Sequence, residues 1–367
     1  MLPLAAGART CGYRRFAVIY PHATGRSKAW SPTRRKSAGV SIDGWVKFRD
    51  KLVVEMETST EPEKTCRILT MDGGGSKGFY SLGVLKQLEA LLGGKPLATQ
   101  FDLIFGTSTG AIIASLLALG KPVSEIHKLY SEHVPKIMGA HFAGPRTRAL
   151  EALAKDVYGD LKFDAVKTGI GIVSARWQEE RPMIFKASVS QAHGSKATFK
   201  PGFGCTIADA VVASCSAYPF FRRKQIQTDD GEVEVLDGGY CANNPTLYAI
   251  ADAVVALKID RTQLRVVSIG VGNYPEPPRY AHKWLIFRFF LVRLLQKTLD
   301  INTHSVETLA KVLFKDVPIV RISDTYATPE MATDLMESNM KKLGLLFQRG
   351  GESFAKHEDA IKRLLGA

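Results

Sequence analysis

Three short runs of the chain carry residue types that can do chemistry together. The first is Gly106-Thr107-Ser108-Thr109-Gly110, a G-x-S-x-G between an apolar strand-like run, FDLIF (101–105), and a helix-like run, AIIASLLALG (111–120). That context is what a nucleophile elbow requires. Glycines two before and two after the serine let strand and helix approach closely. The hydroxyl then projects at a helix N-terminus, where the helix dipole favours developing negative charge. Taken alone, a small-residue turn would show the same five letters.

A serine nucleophile needs a base. The downstream histidines are His127, His133, His141, His193, His282, His304 and His357, and none sits in a loop motif after a strand. A surface or packing role suits each of them better. The better base is Asp237, in VLDGGYCANNP, which ends a strand-like run and is followed by Gly238 and Gly239. Asp-Gly is also an ordinary turn signal, so Asp237 acquires a role only in company with Ser108.

The third run is ILTMDGGGSKGFYSLGVL, residues 68–85. It is not a Walker A loop, because Phe79 stands after Gly78 where a lysine is needed. Gly73, Gly75 and Gly78 satisfy the dinucleotide fingerprint G-x-G-x-x-G literally, yet no acidic residue closes a second strand at the distance that fold requires. A third reading is an oxyanion hole, with backbone N–H groups of Gly73 to Ser76 aimed at a tetrahedral intermediate. On this loop alone, a ligand-free glycine turn has equal standing.

The elements around these runs alternate. CRILTM (66–71) reads as a buried strand, and Leu82, Leu85, Leu88 and Leu92 recur at helical spacing until Gly93 and Gly94. Further strands are expected at GIGIVSA (169–175), PMIFKAS (182–188), VEVLDGG (233–239), LRVVSIGVG (264–272) and VPIVRIS (317–323), with a helix at TLYAIADAVVAL (246–257). Alternation of this kind predicts an α/β fold with a mostly parallel central sheet flanked by helices.

Composition restricts the class. Hydrophobic residues at 45% and charged residues at 23% fit a globular protein, and 367 residues allow one large domain with an appendage. The net charge of +13 is uneven: residues 1–42 carry +8 and no acidic residue, and the rest only +5. The expected organisation is therefore a basic, disordered N-terminal extension over 1–60 and one catalytic domain over 61–367, helical from about 276 onward. Met56 reads as a natural start of that domain, which makes an upstream start codon the blander account of residues 1–55. An Arg-rich, acid-free leader would also suit an organellar transit peptide. Cys11, Cys66, Cys205, Cys215 and Cys241 form no metal-ligand spacing, and they fit reduced thiols in a cytoplasmic protein.

One segment stands apart: HKWLIFRFFLVRLLQKTL, 282–299. Arg288, Arg293 and Lys297 interrupt it too often for a membrane span. It is either a core or subunit-interface helix, or an interfacial element inserting Trp284, Phe287 and Phe290 into lipid.

The ordered set D-G-G-G-S-K-G, G-T-S-T-G and D-G-G resembles the patatin-like phospholipases over about residues 66–275. ASCSAYPFF (213–221) resembles the Ala/Ser-rich stretch that family places between its serine and aspartate. The resemblance implies a patatin-like three-layer α/β sandwich and lipid acyl hydrolysis by a Ser-Asp dyad, with no metal. It makes Ser108 the nucleophile, Asp237 the base, and Gly73, Gly74, Gly75 and Lys77 the oxyanion loop. Gly106 and Gly110 shape the elbow, and Gly238 and Gly239 the aspartate loop. The C-terminal part, DINTHSVETLAKVLF (300–314) and residues 331–365, resembles bacterial phospholipases of anti-phage signalling that a cyclic dinucleotide activates. That resemblance implies a membrane phospholipid substrate at the inner face of the membrane and a cyclic dinucleotide partner. A homo-oligomer is compatible with it, and no nucleic acid polymer is expected.

Overall fold

A computed structural model of the protein describes residues 65–194, 196–277 and 283–367, with the side chains of 283–289 outside that description. The expectations for residues 1–60, Met56 and Cys11, and for the side chains of Trp284, Phe287, Arg288 and His282, fall outside the described residues.

Eight strands form one sheet. They are β1 (Cys66–Met71), β2 (Leu103–Thr107), β3 (Gly169–Arg176), β4 (Arg181–Lys186), β5 (Lys224–Thr228), β6 (Gly231–Asp237), β7 (Leu264–Ile269) and β8 (Ile319–Ile322). Their order is β5-β6-β3-β2-β1-β7-β8, with β4 on β3. The central five, β3 to β8 in space, are mutually parallel. Such strands are covered on both faces, which is why they read as near-continuous apolar runs. Leu69, Met71, Ile104, Val267 and Ile269 face one core, and Ile68, Leu103, Phe105 and Val266 face the other.

The first core is closed by α1 (Gly78–Leu91), α2 (Thr109–Ala118), α3 (Val123–Gly139), α4 (Ala143–Tyr158) and α5 (Ile207–Ser214). A terminal helix, α9 (Met340–Leu365), packs on α1. Its contact is backbone to backbone: a Cβ on Gly83 would lie 1.9 Å from Phe347 O, and one on Gly350 2.0 Å from Tyr80 O. The second core is closed by α7 (Thr246–Ala251), which follows the one-turn α6 (Gly239–Ala242).

Sheet register places the elbow and the aspartate side by side. β2 pairs with the first half of β3 and ends at Thr107 opposite Val173. β4 holds the far edge of β3 through both halves, so β6 must use the edge β2 has left. It arrives antiparallel and ends with Asp237 opposite Ser174. The two strands therefore finish head to head on adjacent positions of β3.

Two expectations need adjustment. β5 is a strand that the sequence reading did not foresee, because Gln225 and Gln227 point outward and only Ile226 and Thr228 are buried. The segment expected at 282–299 extends to α8 (Lys283–Leu313), absorbing part of the run read as a separate C-terminal feature. Val292, Leu295 and Leu299 are buried while Phe290 and Leu294 are exposed, so α8 is a core element on one face only. Arg293 and Lys297, one turn apart, both pair with Glu276. Among the described residues no helix is long and apolar enough to cross a membrane.

Candidate active site

Ser108 sits between β2 and α2 with φ +53° and ψ −121°, a left-side backbone conformation that a non-glycine residue adopts only when its surroundings impose it. The flanking glycines permit the tight turn. A Cβ on Gly106 would meet Gly110 O at 2.1 Å, and one on Gly110 would meet Met71 O at 2.3 Å. Strand β1, strand β2 and helix α2 thus converge where side chains have no room.

Ser108 Oγ donates to Asp237 Oδ2 at 2.6 Å. The other oxygen of Asp237 accepts from the Gly239 N–H at 2.7 Å. Asp237 is 2% exposed, and burial pushes its carboxyl up to about 6, against the opposing pull of the Ser108 hydroxyl and the Gly239 amide. At neutral pH it is mostly a carboxylate, poised close to the pH at which a base is most useful. Gly238 has no space for a side chain, since a Cβ there would lie 2.1 Å from Val173 O.

The segment read as Ala/Ser-rich braces both residues. Ser214 Oγ accepts from the Ser108 N–H at 2.9 Å and donates to Val173 O. Ser216 O accepts from Asp237 N, and Ser214 O from Gly238 N. One short helix end therefore fixes Ser108 and Asp237 against the same strand.

The glycine loop lies across from them. Gly73 N–H donates to Asn243 O, Ser76 N–H to Leu335 O and Lys77 N–H to Gly74 O. Among the described residues the N–H groups of Gly74 and Gly75 have no acceptor, and both residues line the cavity that holds Ser108 and Asp237. The span expected to supply oxyanion donors, Gly73 to Ser76, is thereby narrowed to its middle two. Gly75 has φ +57°, and a Cβ on it would meet Leu335 O at 2.4 Å. Lys77 does not line that cavity. It is buried behind the loop, where desolvation pulls its amine down and Asp300, Asp334 and Asp72 push it back up.

The cavity is apolar, lined by Ile112, Leu116, Val134, Leu150, Phe221, Leu295 and others, with Ser108 and Asp237 among its few polar residues. It holds about 80 Å³. No histidine lines it, and His193 instead pairs with Asp252. Among the described residues no group of side chains could hold a metal ion. Cys215 lines it as a thiol, held far up by burial, and Cys66, Cys205 and Cys241 form no disulfide either.

Two further residues support the site and belong to none of the sequence motifs. Arg321 on β8 forms a two-pronged pair with Asp72, which precedes the glycine loop, and also donates to Ser268. Burial works against the Arg321 charge, but Asp72 more than restores it, so its pKa stands above the ordinary value. Asn243 Nδ2 donates to Gly73 O and to Thr303 on α8, while its backbone N–H donates to Asn302. These contacts join distant stretches, and no motif could have shown them.

Comparison with known proteins points to one family. The family described as patatin-like phospholipase matches residues 69–250. The chain is 60% identical over 309 residues to a cUMP-AMP-activated phospholipase of Escherichia coli, covering 83% of this chain and 95% of that one. It is 29% identical over 220 residues to a cGAMP-activated phospholipase of Pseudomonas aeruginosa, covering 56% and 62%. It is 26% identical over 346 residues to patatin-like protein 2 of Arabidopsis thaliana, covering 79% and 83%.

Proposed function

The chain belongs to the patatin-like phospholipase family, and from that premise we propose that it hydrolyses acyl esters of membrane phospholipids through Ser108 and Asp237, on activation by a cyclic dinucleotide. The observation that carries the catalytic part is the 2.6 Å hydrogen bond from Ser108 Oγ to a buried Asp237 oxygen at an apolar cavity. The names of two relatives support the activator.

In this mechanism Asp237 accepts the Ser108 proton as Oγ attacks the ester carbonyl carbon. The oxygen of the tetrahedral intermediate takes the N–H groups of Gly74 and Gly75, and removing one such donor from an oxyanion hole typically costs about 3 kcal/mol. Collapse breaks the ester C–O bond, and Asp237 returns the proton to the departing alkoxide. Water then attacks the acyl-serine with Asp237 again as base; the C–O bond to Ser108 breaks, Asp237 returns the proton to Ser108 Oγ, and the fatty acid leaves. Gly106 and Gly110 allow the turn, Gly238 and Gly239 fit the carboxylate loop, and Gly73 and Lys77 support the oxyanion loop from behind.

The same reading places the enzyme in the cytoplasm at the inner face of the membrane, as an effector of anti-phage defence without metal or other cofactor. It admits a homo-oligomer, for which the exposed Phe290, Leu294 and Ile301 on α8 offer a surface. The test is phospholipid hydrolysis with and without cyclic UMP–AMP and cyclic GMP–AMP. Hydrolysis that appears with a dinucleotide and vanishes in Ser108→Ala supports the proposal. Equal rates without any nucleotide would indicate a constitutive acyl hydrolase. Wild-type rates in Ser108→Ala or Asp237→Ala would overturn the dyad.

A further inference from the structure

We infer that the cyclic dinucleotide binds in a second, polar cavity between the ends of β7 and β8 and the C-terminal half of α8. This rests on the reading that such a ligand activates the enzyme. The cavity holds about 320 Å³, against about 80 Å³ for the apolar one.

Its position follows from topology. From β1 the chain proceeds outward to β2 on one side, while from β7 it proceeds to β8 on the other. The gap between the carboxyl ends of β1 and β7 is therefore the point where a parallel sheet changes winding direction, and ligands of open α/β sheets bind in that crevice. Asp72, after β1, and Gly272 and Asn273, after β7, form its floor.

The lining sorts by depth. Asn243 is buried, and its Oδ1, without a hydrogen-bond partner, lies beside Gly73 and Gly239 on the side of Ser108 and Asp237, while its Nδ2 faces Thr303 in the lining of this cavity. Arg321 Nε is buried without a hydrogen bond and stands 3.9 Å from Glu307 Oε2. A buried polar atom without a hydrogen bond costs about 1–3 kcal/mol, so Arg321 Nε is a donor left open in the lining of this cavity. At the rim, His304, Thr308 and Lys311 are exposed. Carboxylates inside suit the N–H and hydroxyl groups of a base and ribose, and Lys311 at the rim suits a phosphate. Lys311 is held only by Glu307 at 2.8 Å with its side chain 71% exposed. Such a pair is worth under about 1 kcal/mol, whereas a charge-assisted bond to phosphate gives about 1.5–3, so Lys311 can exchange partners. The wall also carries Asp72, Asp300 and Glu307, so it is no simple basic patch and inorganic phosphate should gain little there.

The cavity is built from the groups that hold the active site. Arg321 fixes Asp72 ahead of the glycine loop, and Asn243 ties Gly73 to Thr303. Leu295 and Leu299, farther along α8, wall the apolar cavity. A ligand that favours one placement of α8 thus biases the loop and the acyl cavity together.

The experiment is calorimetric titration of cyclic UMP–AMP, cyclic GMP–AMP and inorganic phosphate into full-length Ser108→Ala protein, alone and with Lys311→Glu or Thr308→Glu added. Both added substitutions are at exposed positions, and unchanged thermal midpoints will show that the proteins fold. We expect at least tenfold weaker dinucleotide binding in each, and no competition by millimolar phosphate. Hydrogen exchange on the Ser108→Ala protein should show ligand protection at residues 300–311. Undiminished binding in both variants, or protection confined elsewhere, overturns this site and leaves nucleotide activation standing. If the wild-type enzyme neither binds nor responds to either dinucleotide, the activator reading fails and the site with it.

Discussion

Ser108 and Asp237 meet because two strands end head to head on one edge of β3, Thr107 opposite Val173 and Asp237 opposite Ser174. No flexible loop has to find its partner. The hydroxyl and carboxylate are held by backbone register, and register in a buried sheet resists slippage because a one-residue shift would turn every side chain to the wrong face.

The buried carboxylate makes a stability prediction. Asp237 titrates near 6 in the fold, above the ordinary carboxyl value, so folding favours its protonated form. That contribution is present at low pH and is lost as pH rises through about 6. Asp237→Asn keeps a hydrogen-bonding shape without the charge. It should abolish hydrolysis and raise the thermal midpoint at pH 8, by about 1–3 kcal/mol in stability, while at pH 4 the difference should vanish. Equal stabilisation at both pH values would refute the electrostatic account.

Rate should follow the same group. With Asp237 as base, kcat/KM for a soluble short-chain ester should rise with pH and level off above an inflection near 6. An inflection near 4 would mean that the working carboxylate is solvated, contrary to the burial described above.

Ser108 is strained, so its two simplest replacements should differ. Ser108→Gly relaxes a positive φ and Ser108→Ala does not. Both should be inactive, with the glycine variant more stable by about 1 kcal/mol in denaturant titration. An alanine variant at least as stable would show that the turn carries no strain.

Ser214 is a positioning residue. Ser214→Ala leaves the Ser108 N–H buried without its acceptor. At about 1–3 kcal/mol for such a group, kcat should fall roughly 10- to 100-fold. KM should stay put, because Ser214 does not line the acyl cavity. Ser214→Thr, which restores the hydroxyl, should recover part of the rate.

Gly83 and Gly350 predict a purely structural effect. Either residue changed to Ala must push α1 and α9 apart, at a cost of about 3 kcal/mol or more, read as a lower thermal midpoint. Activity per folded molecule should persist.

Ser108, Asp237 and the glycine loop were legible in the sequence because each carries local geometry in its neighbours: glycines where backbones touch, and strands that end beside them. The central strands were legible for a related reason, since burial on both faces leaves unbroken apolar runs. β5 was not, because it is an outer strand with glutamines facing water. Ser214 lies 106 residues from Ser108, and Arg321 lies 249 from Asp72. Those contacts depend on strand order, which letters in a row do not encode. The same holds for Gly83 and Gly350, two unremarkable helix glycines until the helices cross.

Helix α8 is about 46 Å long by the 1.5 Å rise of its 31 residues. It is pinned about two-thirds of the way along, where Asn302 and Thr303 bond to Asn243. A rod held there can pivot, with a long arm toward Leu295 and a short arm toward Lys311. On the proposed site, a ligand that draws in Lys311, about 13 Å from the pivot, lifts Leu295, about 11 Å away on the other arm, and moves Leu299, about 5 Å away, by less. With the nucleotide in the proposed site, the acyl cavity would widen while the dyad, which rests on the sheet and not on the rod, stays seated.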